Sequence, residues 1–420
     1  MHVLVALAAP ALLPSAAVLR PRLGHLPVIL ILLCVLWLLL LRLALPRFGR
    51  RATMAAAVLS SLMVLSWGPR IAARSWGLPW LTPGYHSHVI LPMTVVQMTI
   101  LISLLAAPLW VPLGLLARRR MRLRAQQLQG GASSPASLPP SGPSRRDVLA
   151  ALAWAGPGAA AILSTYGVAV GARRIVVRHV RLSVPGLPPS LRGLRIGQLT
   201  DVHVAYDLTQ LAQLEAGLDL LARQQPDLVV ATGDLCDSPR LLPDVVSLIG
   251  QVPARLGHFA CLGNHELYLG LPLVRRTFDR SQVVLLEDRS EQVGDLTVAG
   301  LSYPHEGTPR ISHRKVPGLL DRALRDRRDN TVTLLLSHHP HVFRHVAGRR
   351  VDLMLAGHTH GGQVGLGERS LLEPAYGYVR GWFTSPAPGD HAQLFVSSGL
   401  GHWLPFRLNC PPEVVLIELV

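Results

Sequence analysis

Carboxylates are missing from the first third of the chain. Residues 1–146 contain fifteen arginines and neither Asp nor Glu, and the first acidic residue is Asp147. The formal charge of +16 therefore does not describe a molecule that is basic throughout. All 25 acidic residues lie in 147–420 against 26 basic ones, so that part is nearly neutral. The surplus arginines sit between apolar runs, a pattern that orients membrane segments rather than one that grips nucleic acid. No nucleic-acid partner is expected. Cysteine is also scarce. Cys34 falls inside an apolar run, while Cys236, Cys261 and Cys410 are dispersed and lack the CxxC spacing of metal ligands. Each reads as a small buried residue, with a disulfide left open. No repeat of solenoid period is present.

Long apolar runs, in contrast, are plentiful before residue 171. Residues 25–46 include Val28-Ile-Leu-Ile-Leu-Leu-Cys-Val-Leu-Trp-Leu-Leu-Leu-Leu, enough to cross a hydrocarbon core of about 30 Å as a helix. Residues 88–117 form a second candidate, and 2–19 and 52–67 are shorter ones broken by proline and small residues. Residues 1–124 are thus expected to be a four-helix transmembrane region. A small, polar, proline-rich stretch then reads as a flexible cytoplasmic linker, 125–146. A fifth apolar run, 147–171, follows Arg145-Arg146 and reads as a transmembrane helix or a segment like a twin-arginine export signal. Arg118, Arg119, Arg120, Arg122 and Arg124 place the linker in the cytoplasm, and five spans then put the C-terminal domain outside it. Arg173, Arg174, Arg178 and Arg181 oppose that orientation. The expectation is a multi-pass membrane protein with an extracytoplasmic catalytic domain.

From about 185 the texture changes to short apolar runs, each ending in polar residues. Leu194–Leu199 leads into Asp201, Leu228–Thr232 into Gly233-Asp234, and His258–Leu262 into Gly263-Asn264. Thr331–Leu336 leads into His338 and Val351–Ala356 into His358. These are strand-length runs bounded by breakers. Between the first two, Leu208, Leu211, Leu214, Leu218 and Leu221 fall on one face of a helix. Strands alternating with helices predict an α/β domain over 185–420, in which ligands gather beyond the carboxyl ends of the strands. All five polar segments occupy such ends.

Those segments are Asp201-Val-His203, Gly233-Asp234-Leu-Cys-Asp237, Gly263-Asn264-His265-Glu266, Ser337-His338-His339-Pro340 and Gly357-His358-Thr-His360. Together they supply enough oxygen and imidazole to hold two divalent cations. Asp234, on a Gly-Asp turn, is the candidate bridge between the ions. Asp201 and His203 can face one ion, His358 and His360 can each address a different one, and Asn264 and His338 add a carbonyl and an imidazole. Such mixed donors suit Mn, Fe or Zn better than calcium. Two ions about 3.5–4 Å apart would position a bridging hydroxide for in-line attack on phosphorus. His265 diverges from its neighbour Asn264 and is the candidate proton donor to the leaving oxygen. Asp237 is placed to fix its tautomer. His339 and His341 read as loop or surface residues, and His305 as a solvated turn. His402 stays open, and Tyr376 and Tyr378 read by default as strand packing.

In this order the segments resemble the calcineurin-like metallophosphoesterases, whose pattern is DxH, GDxxD, GNH(D/E), a histidine before proline, and GHxH. The resemblance runs over roughly 190–420 and implies a two-sheet αββα sandwich. It also implies that Asp201, His203, Asp234 and His360 hold one ion, and that Asp234, Asn264, His338 and His358 hold the other. His265 and Asp237 would form the acid pair. Ala356-Gly-His-Thr-His-Gly-Gly-Gln363, Gly399-Leu-Gly401, Pro405-Phe-Arg407 and Cys410-Pro-Pro-Glu413 resemble the membrane-associated bacterial subgroup. The layout is similar to transmembrane proteins bearing such a domain. Two departures stand out: Glu266 where aspartate is also common, and Gly300-Leu-Ser-Tyr-Pro without the acidic residues of relatives. The opening histidine clusters of metallo-β-lactamases and amidohydrolases are absent. The expected function is a membrane-anchored phosphoesterase cleaving a phosphorylated small molecule. The alternatives are a lipid phosphatase or pyrophosphatase fed from the bilayer, and a non-catalytic metal-stabilised sensor.

Overall fold

A computed structural model describes residues 26–45, 49, 51–62, 65, 86–129, 144–205, 208–307, 310–402 and 404–420. Packing divides the chain into two units, Met1–Val168 and Ala169–Val420. The stretch 2–19 and most of the linker 125–146 lie outside the described residues.

The first unit is helical. Leu26–Ala44 matches the strongest apolar run, residues 51–62 form a further helix, and Arg145–Tyr166 continues as a π-turn, Gly167–Gly171. The run 88–117 is not one helix. Leu91–Leu105 stops at Ala106 and a second helix, Ala107–Gln129, begins. Pro108 has no N–H to carry the ladder across this point, and Leu109 N–H donates to the Ala106 carbonyl at 2.9 Å instead. By length and composition, His88–Leu105 and Asp147–Gly171 can cross a membrane, while Ile29–Ala44 is a shorter apolar helix. Helix approach relies on small residues: a Cβ on Gly156 would lie 2.6 Å from Trp110 Cδ1. Ser144 opens the last helix with a capping box closed by Asp147, so Arg145 and Arg146 occupy its first turn.

The second unit holds two six-stranded sheets. One has the order β1 (Val176–Leu182), β14 (Glu413–Leu419), β2 (Arg195–Leu199), β3 (Leu228–Ala231), β4 (His258–Ala260) and β5 (Val283–Leu285). The other runs β12 (Gly381–Thr384), β13 (Gln393–Val396), β9 (Leu353–Ala356), β8 (Val332–Leu336), β7 (Leu296–Gly300), β6 (Arg289–Val293). A small hairpin, β10 (Gly365–Leu366) and β11 (Arg369–Ser370), stands apart.

Side-chain alternation builds the layers. Ile196, Leu228, Val230 and Ile417 of the first sheet pack with Leu334, Leu336, Leu353 and Leu355 of the second. The opposite faces take helices: Val229 and Ala231 meet Leu214, Leu221 and Val246, while Leu335 and Met354 meet Leu319 and Val342. This is the αββα sandwich. It starts earlier in sequence than residue 185, because Val176–Leu182 pairs in parallel with β14. Arg178, which reads in sequence as a charge following a span, lies on this edge strand and binds Glu413 at 2.7 Å and Glu368 at 2.9 Å. Cys236, Cys261 and Cys410 are free, buried thiols, as is Cys34.

Candidate metal centre

Strands β2, β3 and β4 are mutually parallel, as are β8 and β9, so their carboxyl ends open at corresponding edges of the two sheets. Each of the five polar segments leaves one of these ends. The backbone there is held in an uncommon state. Asp201, His203, Asp234, His358 and His360 all have φ between +49° and +73°, a left-handed conformation that costs about 1–3 kcal/mol for such residues and concentrates at functional sites. Hydrogen bonds between loops maintain it. Asp201 N–H donates to the Gly233 carbonyl at 3.0 Å, His203 N–H to the Asp234 carbonyl at 3.1 Å, and Gly357 N–H to the His338 carbonyl at 3.1 Å. His358 N–H donates to both Asp201 carboxylate oxygens, at 3.0 and 2.9 Å. The glycines beside the ligands are steric requirements. A Cβ on Gly263 would strike the Asp234 carboxylate, and one on Gly357 would strike that of Asp201.

The seven candidate ligands come together. Asp201, His203 and His360 form one cluster, Asp234, His338 and His358 a second, and His203, Asp234 and His265 an overlapping third. Asn264 Oδ1 lies 3.1 Å from His358 Nδ1. Asp234 Oδ2 sits between the groups, 3.7 Å from His203 Nε2 and 3.1 Å from His338 Nε2. Burial is deep: Asp201 is wholly inaccessible and His338 is 1% exposed.

This arrangement fits a cation pair on its own chemistry. His203 Nε2 and His360 Nε2 are 3.1 Å apart, and His358 Nδ1 and His338 Nε2 are 3.2 Å apart. His338 Nδ1 donates to the Thr232 carbonyl at 2.7 Å, which leaves Nε2 facing Asp234 and His358. Two lone pairs aimed at each other repel unless a proton or a cation lies between them. Burial, with His338 alongside, holds His358 down to about 3, and burial also takes His360 to about 3. Both are therefore neutral imidazoles, the ligand form. Burial opposes charging of His338, but the Asp234 carboxylate overrides it and raises that histidine to about 10. Burial likewise pushes Asp234 up, and the surrounding His265, His338 and His203 hold it well below the usual carboxylate range.

His265 stands at the edge of the cluster. Its Nδ1 hydrogen-bonds to Asp237 Oδ1 and its Nε2 lies 3.8 Å from Asp234 Oδ2. Asp237 also approaches His203 Nδ1 at 3.4 Å, a second contact that spacing alone does not reveal.

Several neighbours differ from their sequence reading. His339 is not a surface residue; it is 4% exposed and its ring centroid lies 4.4 Å from that of His358. Burial, followed by the adjacent histidines, lowers its basicity. His341 is half-buried and stacks on Tyr376 at 4.6 Å, its Nε2 2.7 Å from the Tyr376 carbonyl. Tyr376 ends a short helix, Glu373–Tyr376, and Tyr378 follows it; neither packs within a strand. His305 forms an isolated bridge to Ile311, and His402 is buried.

Three further residues support the site in roles that the sequence reading did not assign. Glu266, 1% exposed, accepts from the backbone N–H groups of Asp234, Leu235 and Gly263 at 2.8–2.9 Å, so it clamps two ligand loops together. Gln198 Nε2, at the inter-sheet seam, donates to Thr232 Oγ1 at 3.0 Å and to the Ala356 carbonyl at 3.1 Å. Arg407, fully buried, donates to the Ser398 and Gly399 carbonyls at 2.8 and 3.2 Å. It thereby fixes the glycine on which Asp201 rests. The sequence signal for Glu266 was its place three residues after Gly263, from which its carboxylate can accept the Gly263 N–H.

Residues 194–362 match the family model of the calcineurin-like phosphoesterases. An uncharacterised metallophosphoesterase of Campylobacter jejuni is 32% identical over 251 residues, covering 58% of this chain and 63% of the relative. A zebrafish (Danio rerio) transmembrane protein with a metallophosphoesterase domain is 28% identical, covering 66% and 64%. The UDP-2,3-diacylglucosamine pyrophosphatase of Chlamydia trachomatis is 26% identical, covering 58% and 88%. For the first two the shared region is less than two thirds of the relative's length. Residues 194–362, which carry every candidate ligand, are a calcineurin-like phosphoesterase domain.

Proposed function

We propose that this protein is a membrane-anchored phosphoesterase whose catalytic domain works with two divalent cations, Mn, Fe or Zn. The observation that carries the reading is the aim of the donors: three buried imidazoles, the half-buried His358 and two carboxylates converge on two adjacent points that share Asp234. Asp201, His203, Asp234 and His360 would hold one ion, and Asp234, Asn264, His338 and His358 the other. Bound there, the ions supply positive charge that draws in phosphoryl oxygens and lowers the pKa of the attacking water. The chain's own groups do the rest. The buried walls exclude bulk water and keep the donors in place before substrate arrives. His265, its Nδ1 held by Asp237, presents Nε2 as the proton donor to the departing oxygen. That pairing argues against a non-catalytic sensor, which has no need of an oriented acid.

In this reading the apolar helices anchor the domain, and the arginines of 118–124 and 145–146 favour its placement outside the cytoplasm, against Arg173, Arg174 and Arg181, which favour the inside. The second reading is a lipid phosphatase or pyrophosphatase. It is supported by the relative named as a UDP-2,3-diacylglucosamine pyrophosphatase and by the apolar segments of this chain.

The test uses the full-length protein in detergent. With Mn added, it should hydrolyse bis(p-nitrophenyl) phosphate or p-nitrophenyl phosphate, lose activity to a chelator, and regain it on metal readdition. Activity indifferent to chelation refutes the reading. A reporter fused at the C-terminus, active only in the cytoplasm, refutes the external placement.

A further inference from the structure

We propose that the β10–β11 hairpin and the segment after it seat on the bilayer surface and bring the centre against the phosphate of lipid headgroups. The proposal deepens the membrane-anchored phosphoesterase reading and rests on it. Beyond Gly171, the exposed large hydrophobic residues among those described are Leu366, Leu371, Leu372, Trp382 and Val420. Three of these five occupy this one element: Leu366 is 74% exposed, Leu371 57% and Leu372 52%. A solvated hairpin gains nothing from three outward leucines; one that meets an apolar phase does.

The element is continuous with the centre at both ends. It leaves at His360-Gly-Gly, where a Cβ on Gly362 would lie 3.1 Å from Leu372 Cδ1. It returns at Tyr376, whose hydroxyl is 3.4 Å from His339 Nε2 beside His358. Leu372 thus lies beside the loop that follows His360, and Leu366 and Leu371 flank it in the same short element.

Chain connectivity selects a bilayer over a protein partner. The apolar helix Asp147–Gly171 ends a few residues before β1. The next carbonyl, that of Ala172, accepts from Gln213 Nε2 at 3.4 Å, and the same nitrogen donates to the Leu400 carbonyl at 2.7 Å. Leu400 N–H in turn donates to the Thr200 carbonyl at 3.0 Å, one residue from Asp201. From the other side Arg178, seven residues past Gly171 (178 − 171), binds Glu368 in the hairpin at 2.9 Å. Seven residues reach at most about 25 Å. Within the second unit, the ligand loops and the hairpin are therefore both linked to the residues that directly follow the apolar helix in the chain. Arg173, Arg174 and Arg369 are exposed around this region, and such cations favour anionic headgroups.

The test places the full-length chain in nanodiscs of phosphatidylcholine and phosphatidylglycerol. The four native cysteines are buried, so a fluorophore such as NBD can be attached selectively to Leu371→Cys, or to Asp329→Cys as a remote exposed control. Lipids with a nitroxide near the headgroup should quench the 371 probe at least about threefold more than the 329 probe. Equal quenching overturns the docking, whether or not the protein hydrolyses any phosphoester. Quenching at 371 without hydrolysis of any phosphoester would instead sink the phosphoesterase reading and leave the docking intact. For the substrate class, the ratio of phosphatidic acid to p-nitrophenyl phosphate turnover should fall about tenfold in the Leu366→Asp/Leu371→Asp double variant. An unchanged ratio overturns the lipid assignment.

Discussion

The two units of this protein treat their backbones in opposite ways. In the helical unit the hydroxyls of Thr94, Thr99 and Ser164 donate to carbonyls four residues earlier in their own helices, while Trp110 and Arg118 reach the Ser103 and Leu45 carbonyls of other segments. Among the described residues, every non-glycine residue with positive φ lies at or beyond Asp201. In the sandwich, five such residues are candidate metal ligands, and the bonds that hold them cross from one strand end to another. The comparison teaches that an apolar anchor keeps its backbone in ordinary helical geometry even where helices touch. A metal centre needs distant segments to restrain one another, and conformational strain collects where they do.

Substitutions can break or sharpen that contrast. The largest effect is expected from Asp234→Asn, which removes the carboxylate shared by the two ligand groups. Turnover of an aryl phosphodiester should fall at least about 10³-fold; steady-state kinetics with Mn added would check this. Next is His265→Ala. It should lower turnover about 10²-fold or more, with a larger loss for poor leaving groups than for p-nitrophenol. A leaving-group series would test it, and an equal loss across the series contradicts the proton-donor role.

Glu266→Gln is milder, because only the clamp is altered. An amide can no longer accept charge-assisted bonds from all three N–H groups, and metal affinity should weaken about 10–100-fold. Titration of the apo-protein with Mn, followed by bound-metal analysis, would measure it. The smallest catalytic effect belongs to Gly156→Leu, which forces a side chain into Trp110 in the helical unit. The helical unit should lose thermal stability by several degrees, while turnover of a soluble ester changes less than about twofold. A large loss of turnover would show that the two units are not separable in this way.

Much of this was legible in the sequence because it is local. A helix over 208–222 follows from Leu208, Leu211, Leu214, Leu218 and Leu221 on one face. The five strand ends follow from apolar runs closed by Gly, Asp or His. The break at Ala106 was legible in principle from Pro108, but the hydropathy of 88–117 masks it. β1 was hidden because its arginines resemble a flank of the preceding span. Only the Glu413 partner, 235 residues away, shows that Arg178 belongs to a sheet edge. His339 was misread for a similar reason. Its burial depends on Tyr303, Tyr376 and His358, which come from three other segments. Gln198 and Arg407 likewise act through backbone carbonyls of remote loops, which no spacing rule encodes.

The central claim is that one carboxylate, Asp234, joins two cation sites. The direct measurement is metal content per chain of the full-length protein purified with Mn, by elemental mass spectrometry, beside Asp234→Asn. The account predicts about two ions per chain for the natural sequence and fewer than one for the variant. Two ions retained by Asp234→Asn, or a natural protein that saturates with one, would contradict it.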